Sequence, residues 1–117
     1  MRYRDLVVWQ KAMDLVVEIY RLSQDFPATE KFALASQIQR AVVSIPSNIA
    51  EGHARKSTGA FLNHLSIAAG SLAELETQLM LAARLGFCNE DTSLSLLAST
   101  DEIGRMLTGL KTSLTNT

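Results

Sequence analysis

The chain has 117 residues, 20% of them charged and 47% hydrophobic, the composition of one folded domain rather than a disordered segment. Eleven Lys and Arg against twelve Asp and Glu leave a net charge of −1, which excludes a strongly basic nucleic-acid coat. No apolar run reaches the roughly eighteen residues of a membrane span, and the opening MRYRDLVVWQ lacks the apolar core of a signal peptide. Cys88 is the only cysteine, so no disulfide can close within the chain and a cytoplasmic location is expected.

Four helical segments are predicted, over residues 5–24, 28–54, 58–85 and 90–114, within a single domain spanning 1–117. In the first, Leu6, Trp9, Met13, Val16 and Tyr20 recur at steps of three and four, with Asp5 as a candidate N-cap. A second stripe, Val8, Ala12, Leu15, Ile19 and Leu22, lies beside it. Together the two cover about half the circumference, wider than the roughly 100° stripe a core needs. Asp25-Phe26-Pro27 makes the turn into the second helix, whose seam is Ala35, Ile38, Val42, Ile45 and Ile49. Pro46 falls inside that seam without breaking its phase, which predicts a helix kinked at Pro46, with Gly52 a candidate stop.

The third helix, capped by Ser57 or Thr58, carries Phe61, Leu65, Ala68, Leu72, Leu75, Leu79 and Ala82 in unbroken register, and Gly86 stops it. The small residues Ala68, Ala69, Gly70, Ser71 and Ala73 allow a neighbouring helix to come close. Asn89 is the candidate N-cap of the fourth helix, which carries Leu96, Ile103, Leu107, Leu110 and Leu114. The tail Thr115-Asn116-Thr117 is expected to be unstructured. Four helices with short connections give an all-α fold, an antiparallel up-down-up-down four-helix bundle about 30–40 Å long.

That connectivity gathers Arg2, Arg4, His53, Arg55, Lys56 and Lys111 at one end, and Asp25, Glu30, Glu90 and Asp91 at the other. The charge is therefore polarised along the bundle, although its total is nearly zero. Catalytic chemistry has no support. Glu51-Gly52-His53 lacks the spacing and the second pair that a di-iron bundle needs, so no metal or other cofactor is expected. The serines lie in no nucleophile elbow, no glycine-rich phosphate loop is present, and Cys88 has no adjacent base. His53 and His64 read as half-exposed polar residues. A polar line does stand out: Gln37, Arg40, Ser44, Asn48 and Glu51 share one face of the second helix. It is either a solvated edge or a set of hydrogen bonds at a helix or subunit contact. In the second case Glu74 and Glu76 take part, with Arg40 pairing to Glu74 or Glu51.

The strings YRDLVVWQKAMDLV (3–16), QIQRAVVSIPSNIAEGHAR (37–55) and FLNHLSIAAGSLAELETQL (61–79) resemble the 23S rRNA-intervening-sequence protein family. Relatives of that family include the accessory proteins of diversity-generating retroelements. Arg40, Ser44, Pro46, Asn48, Glu51, Gly52 and Arg55 match the second-helix motif, and Gly70, Ser71, Glu74, Leu75 and Glu76 match the third. The resemblance implies a four-helix bundle assembled as a homopentamer, no enzymatic activity, and association with structured RNA or a reverse transcriptase. It also favours a structural or assembly role for the polar line. The retroelement relatives are markedly basic and this chain is not, which implies weaker and more salt-sensitive contact with nucleic acid.

The surplus apolar surface of the first helix points to a homo-oligomer, with Val8, Ala12, Leu15 and Ile19 as the expected interface. Arg2, Arg4, Arg55 and Lys56, repeated by symmetry, are the expected nucleic-acid contacts. The alternative is a protein-interaction scaffold that touches no nucleic acid.

Overall fold

The computed structural model describes residues 1–116, and its elements among them are all helical. Four long helices, α1 (Val7–Ser23), α2 (Leu34–Ala54), α3 (Thr58–Arg84) and α4 (Glu90–Thr115), pack as a four-helix bundle measuring 46 × 24 × 20 Å. Hydrogen bonds fix the sense of the neighbours. Ser44 and Asn48 of α2 meet Ser71 and His64 of α3, so rising numbers on one helix meet falling numbers on the other. Ser93 and Thr100 of α4 meet Leu79 and Glu76 of α3 in the same reversed order. Lys11 of α1 reaches Glu102 of α4 at 2.6 Å, closing the bundle.

The core seams of α2 and α3 are as the periodicity predicts, every one of their residues being buried. In α4, Leu96, Ile103 and Leu107 are buried, and Thr100 occupies the seam position between Leu96 and Ile103. Its hydroxyl lies 2.8 Å from Glu76 Oε2 and 2.9 Å from the Leu97 carbonyl, which satisfies a polar group in an apolar layer. α2 runs unbroken past Pro46 to Ala54, so Gly52 is an interior helix residue and not its stop.

Caps explain where the helices begin and end. Ser57 Oγ accepts the Ala60 N–H, and Asn89 Oδ1 accepts the Thr92 N–H at 2.7 Å. After α3, Gly86 takes φ +79° while the Gly86 and Phe87 N–H groups donate to the carbonyls of Ala83 and Ala82. Two starts differ from expectation. Asp5 Oδ2 accepts the Arg2 N–H within a separate 3-10 turn, Tyr3–Asp5, so α1 begins only at Val7. Residues 28–33 form a 3-10 turn and a further turn, not the first turn of α2. There buried Phe26 packs on Phe87 at 5.7 Å, and Glu30 Oε1 accepts the Leu34 N–H. Of the tail expected to be unstructured, Thr115 ends α4 and Asn116 follows it, while Thr117 lies outside the described residues.

The subunit-interface assignment on α1 is corrected by burial. Val8, Ala12, Leu15 and Ile19 face the protomer's own core and are essentially solvent-free. On either side of them, Lys11 binds Glu102 of α4 and Ser23 Oγ accepts from Gln39 Nε2 of α2, so both neighbours close over this stripe. The surplus is the other stripe. Met13, Val17 and Tyr20 are 42%, 49% and 41% exposed, and Leu6, Trp9 and Val16 are half-buried beside them. Val43, one turn on from Gln39, extends this face onto α2 and is also exposed. Among the described residues, no helix is long and apolar enough to cross a membrane.

Candidate functional site

The structure holds two notable polar regions, one inside the α2–α3 contact and one at the end of the bundle. In the first, Ser71 Oγ lies 2.8 Å from Ser44 Oγ, and Asn48 Nδ2 donates to the Ser44 carbonyl at 2.8 Å and to Ser44 Oγ at 3.0 Å. A carbonyl can only accept, so the Asn48 amide nitrogen must face it. Asn48 Oδ1 is thereby left to accept from His64 Nδ1 at 3.0 Å. His64 therefore carries its neutral-state hydrogen on Nδ1. The helices meet closely here, since a Cβ on Gly52 would stand 2.5 Å from His64 Cβ. Ser44, Asn48, Ser71 and His64 thus form a key between α2 and α3 within one protomer.

The rest of the polar line does not join that key. Glu51 Oε1 pairs with Arg55 at 3.0 Å, one turn along the same helix. Gln37, Arg40 and Glu74 line a separate groove of about 470 Å³ with Gln78, and Arg40 makes no ion pair with Glu74 or Glu51. The expected Arg40 pairing is therefore corrected: Glu51 is taken by Arg55, and Arg40 and Glu74 remain on the groove walls. Gln78 carries no signal in the sequence; it is buried, and its Oε1 has no hydrogen-bond partner among the described residues.

At the end of the bundle, the α2–α3 connection meets the start of the chain around a cavity of about 560 Å³. Arg2, His53 and Lys56 line it beside Met1, Ser57 and Thr58 add hydroxyls, and Tyr3, Phe61 and Leu114 form much of its apolar wall. No carboxylate is among the described lining residues. The His53 and Phe61 rings meet edge to face at 5.4 Å, and Lys56 holds φ +57° where the chain turns into α3. Of the four expected phosphate contacts, Arg2 and Lys56 line this cavity. Arg4 stands 5.7 Å over the Tyr3 ring, and Arg55 is paired with Glu51.

The opposite end carries a cavity of about 670 Å³ lined by Glu18, Asp25 and Asp91 with Arg21. Cys88 also lines it, its thiol pushed up from the ordinary value by burial, which disfavours the reactive thiolate. No group of three or more His, Cys, Asp or Glu side chains comes together as a metal site among the described residues.

Fold and key together define a four-helix bundle whose central helix pair is registered by a half-buried polar chain and whose ends differ in charge. The chain belongs to the 23S rRNA-intervening sequence protein family, whose sequence profile matches residues 4–109. A solved structure from Bacteroides thetaiotaomicron, described as a protein of unknown function from the S23 ribosomal protein family, is similar at 28% identity. It superposes with a TM-score of 0.84, over 90% of this chain and 98% of that one. No curated protein matches the chain.

Proposed function

We propose that this protein is a non-enzymatic, homo-oligomeric accessory protein that associates with structured RNA or a ribonucleoprotein through its basic end. The observation that carries this reading is the cavity holding Arg2 and Lys56 with no carboxylate in its described lining, flanked by exposed Arg4. The amino end of α3 adds its positive dipole to the same region. One protomer offers few such cations, so affinity depends on repetition. The exposed stripe of Met13, Val17 and Tyr20 gives copies of the chain a reason to associate. The family resemblance suggests a pentamer, with a reverse transcriptase among the candidate partners.

Ultraviolet crosslinking of the native complex, followed by sequencing of the bound RNA, tests the reading. A defined RNA is the expected result. A protein partner retained after nuclease treatment, with no crosslinked RNA, would replace it with the protein-interaction scaffold.

A further inference from the structure

We propose that the cavity at the basic end is a pocket for one terminal nucleotide, holding a 5′-phosphorylated strand end rather than tracking a continuous backbone. The inference rests on the RNA reading above and names the part of the RNA that the site would take.

The lining separates into two chemistries that a nucleotide combines. Arg2 and Lys56 face the cavity, and neither forms an ion pair among the described residues. A terminal phosphomonoester carries close to two negative charges at neutral pH, whereas each internal phosphodiester carries one. The two side-chain cations of this one cavity, with Met1 beside them in the lining, therefore match one dianion. A backbone-tracking surface would instead spread its cations along a groove. The nearby Arg55 does not alter this count, because Glu51 holds it on the outside of α2.

The remaining wall suits a base. Tyr3 and His53, both half-buried, bring aromatic surface to the same cavity above the buried Phe61 ring, and base–aromatic stacking is tolerant of base identity. Ser57 adds a hydroxyl beside Lys56. The volume, about 560 Å³, lies in the range of pockets that take one small organic ligand and is too small for a folded RNA element. No carboxylate in the described lining repels the phosphate. At the other end of the bundle, three carboxylates line the larger cavity and make it unsuitable for an anion.

The test compares two 3′-labelled single-stranded RNA 12-mers of one sequence, one with a 5′-monophosphate and one with a 5′-hydroxyl, by fluorescence anisotropy. The full-length protein is used throughout. The 5′-phosphorylated strand is expected to bind at least about tenfold more tightly, a preference worth about 1.4 kcal/mol. Lys56→Gln and Arg2→Gln are each expected to remove most of that preference, and circular dichroism checks that the variants fold. Adenosine 5′-monophosphate should compete with the phosphorylated strand, and adenosine should not. Equal binding of both strands would overturn the pocket while leaving the RNA reading intact. Failure of either strand to bind at low salt would overturn the pocket, and failure of a structured RNA to bind as well would overturn the RNA reading with it. A preference retained in both variants would place the phosphate elsewhere and overturn the pocket.

Discussion

Gly52 of α2 lies so close to α3 that a methyl group in its place would stand 2.5 Å from the Cβ of His64. Backbone, not a flexible side-chain end, would have to move. Gly52→Ala is therefore expected to destabilise the protein by about 1–3 kcal/mol, through overpacking that outweighs the gain of about 1 kcal/mol in helix propensity. Gly70, on the same helix as His64, has nothing within 4 Å of its Cβ position. Gly70→Ala should instead stabilise by up to about 1 kcal/mol. Urea denaturation of the two variants reads the opposite signs.

Asn48 connects Ser44 to His64 and satisfies both. Its replacement by Ala removes these bonds and leaves polar groups without partners in a half-buried interface. A loss of about 1–3 kcal/mol is expected. A double-mutant cycle of Asn48→Ala with His64→Ala should show coupling of at least about 0.5 kcal/mol, because the two residues share one bond. Additive losses would mean that the key does not act as a unit.

The Lys11–Glu102 contact ties α1 to α4 and is exposed, so its effect on stability is small and best seen through pH. Hydrogen bonding and charge attraction between the two lower the Glu102 pKa from its ordinary value and raise that of Lys11. For Glu102 the contribution is present above its unfolded-state pKa and disappears as pH falls through the lowered folded-state value. For Lys11 it is present below its unfolded-state pKa and disappears as pH rises through the raised one. Coupling between Lys11→Met and Glu102→Gln is thus expected at neutral pH and is lost as acid takes the solution below the lowered folded-state value of Glu102. Thermal denaturation of the four-member cycle across a pH series from neutral into acid provides the check. Coupling that persists in acid would contradict the ion pair.

Val17 lies in the middle of the exposed stripe on α1 and makes no contribution to the buried core. Val17→Glu should leave the helical circular-dichroism signal intact while lowering the association constant by at least about tenfold, as a charge placed in an apolar contact does. Sedimentation velocity across a concentration series measures it. Unchanged association would show that another face joins the copies.

The seams of α2 and α3 were legible because each carries one uninterrupted apolar stripe flanked by polar residues, and Ser57, Asn89 and Gly86 marked the helix ends by chemistry that acts locally. α1 was harder. Its two stripes are both apolar at helical spacing, and only the positions of α2 and α4 decide that Leu15 and Ile19 turn inward while Val17 and Tyr20 face water. Gly52 invited a stop, but in the fold it allows close packing, a role that depends on where His64 falls across the helix pair. The polar line was visible as a face, yet its division into a key and a groove was not. Glu51 finds Arg55, the C-cap of its own helix, which takes one of the two partners expected for Arg40. The burial of Gln78 had no local signal, since it belongs to no apolar repeat. At the basic end, Arg2 and Lys56 were brought together as expected, whereas the competing contacts of Arg4 and Arg55 depend on Tyr3 and Glu51.

The most direct test of the functional account is a salt titration of binding to a structured RNA, with the wild type compared against an Arg2→Gln/Lys56→Gln double variant. Logarithmic affinity should fall linearly with logarithmic salt concentration. The double variant should show a shallower slope, smaller by about 0.7 to 0.9 for each phosphate that the protein no longer neutralises. Wild-type binding that ignores salt, or an identical slope in the variant, would contradict an RNA-binding role built on the basic end.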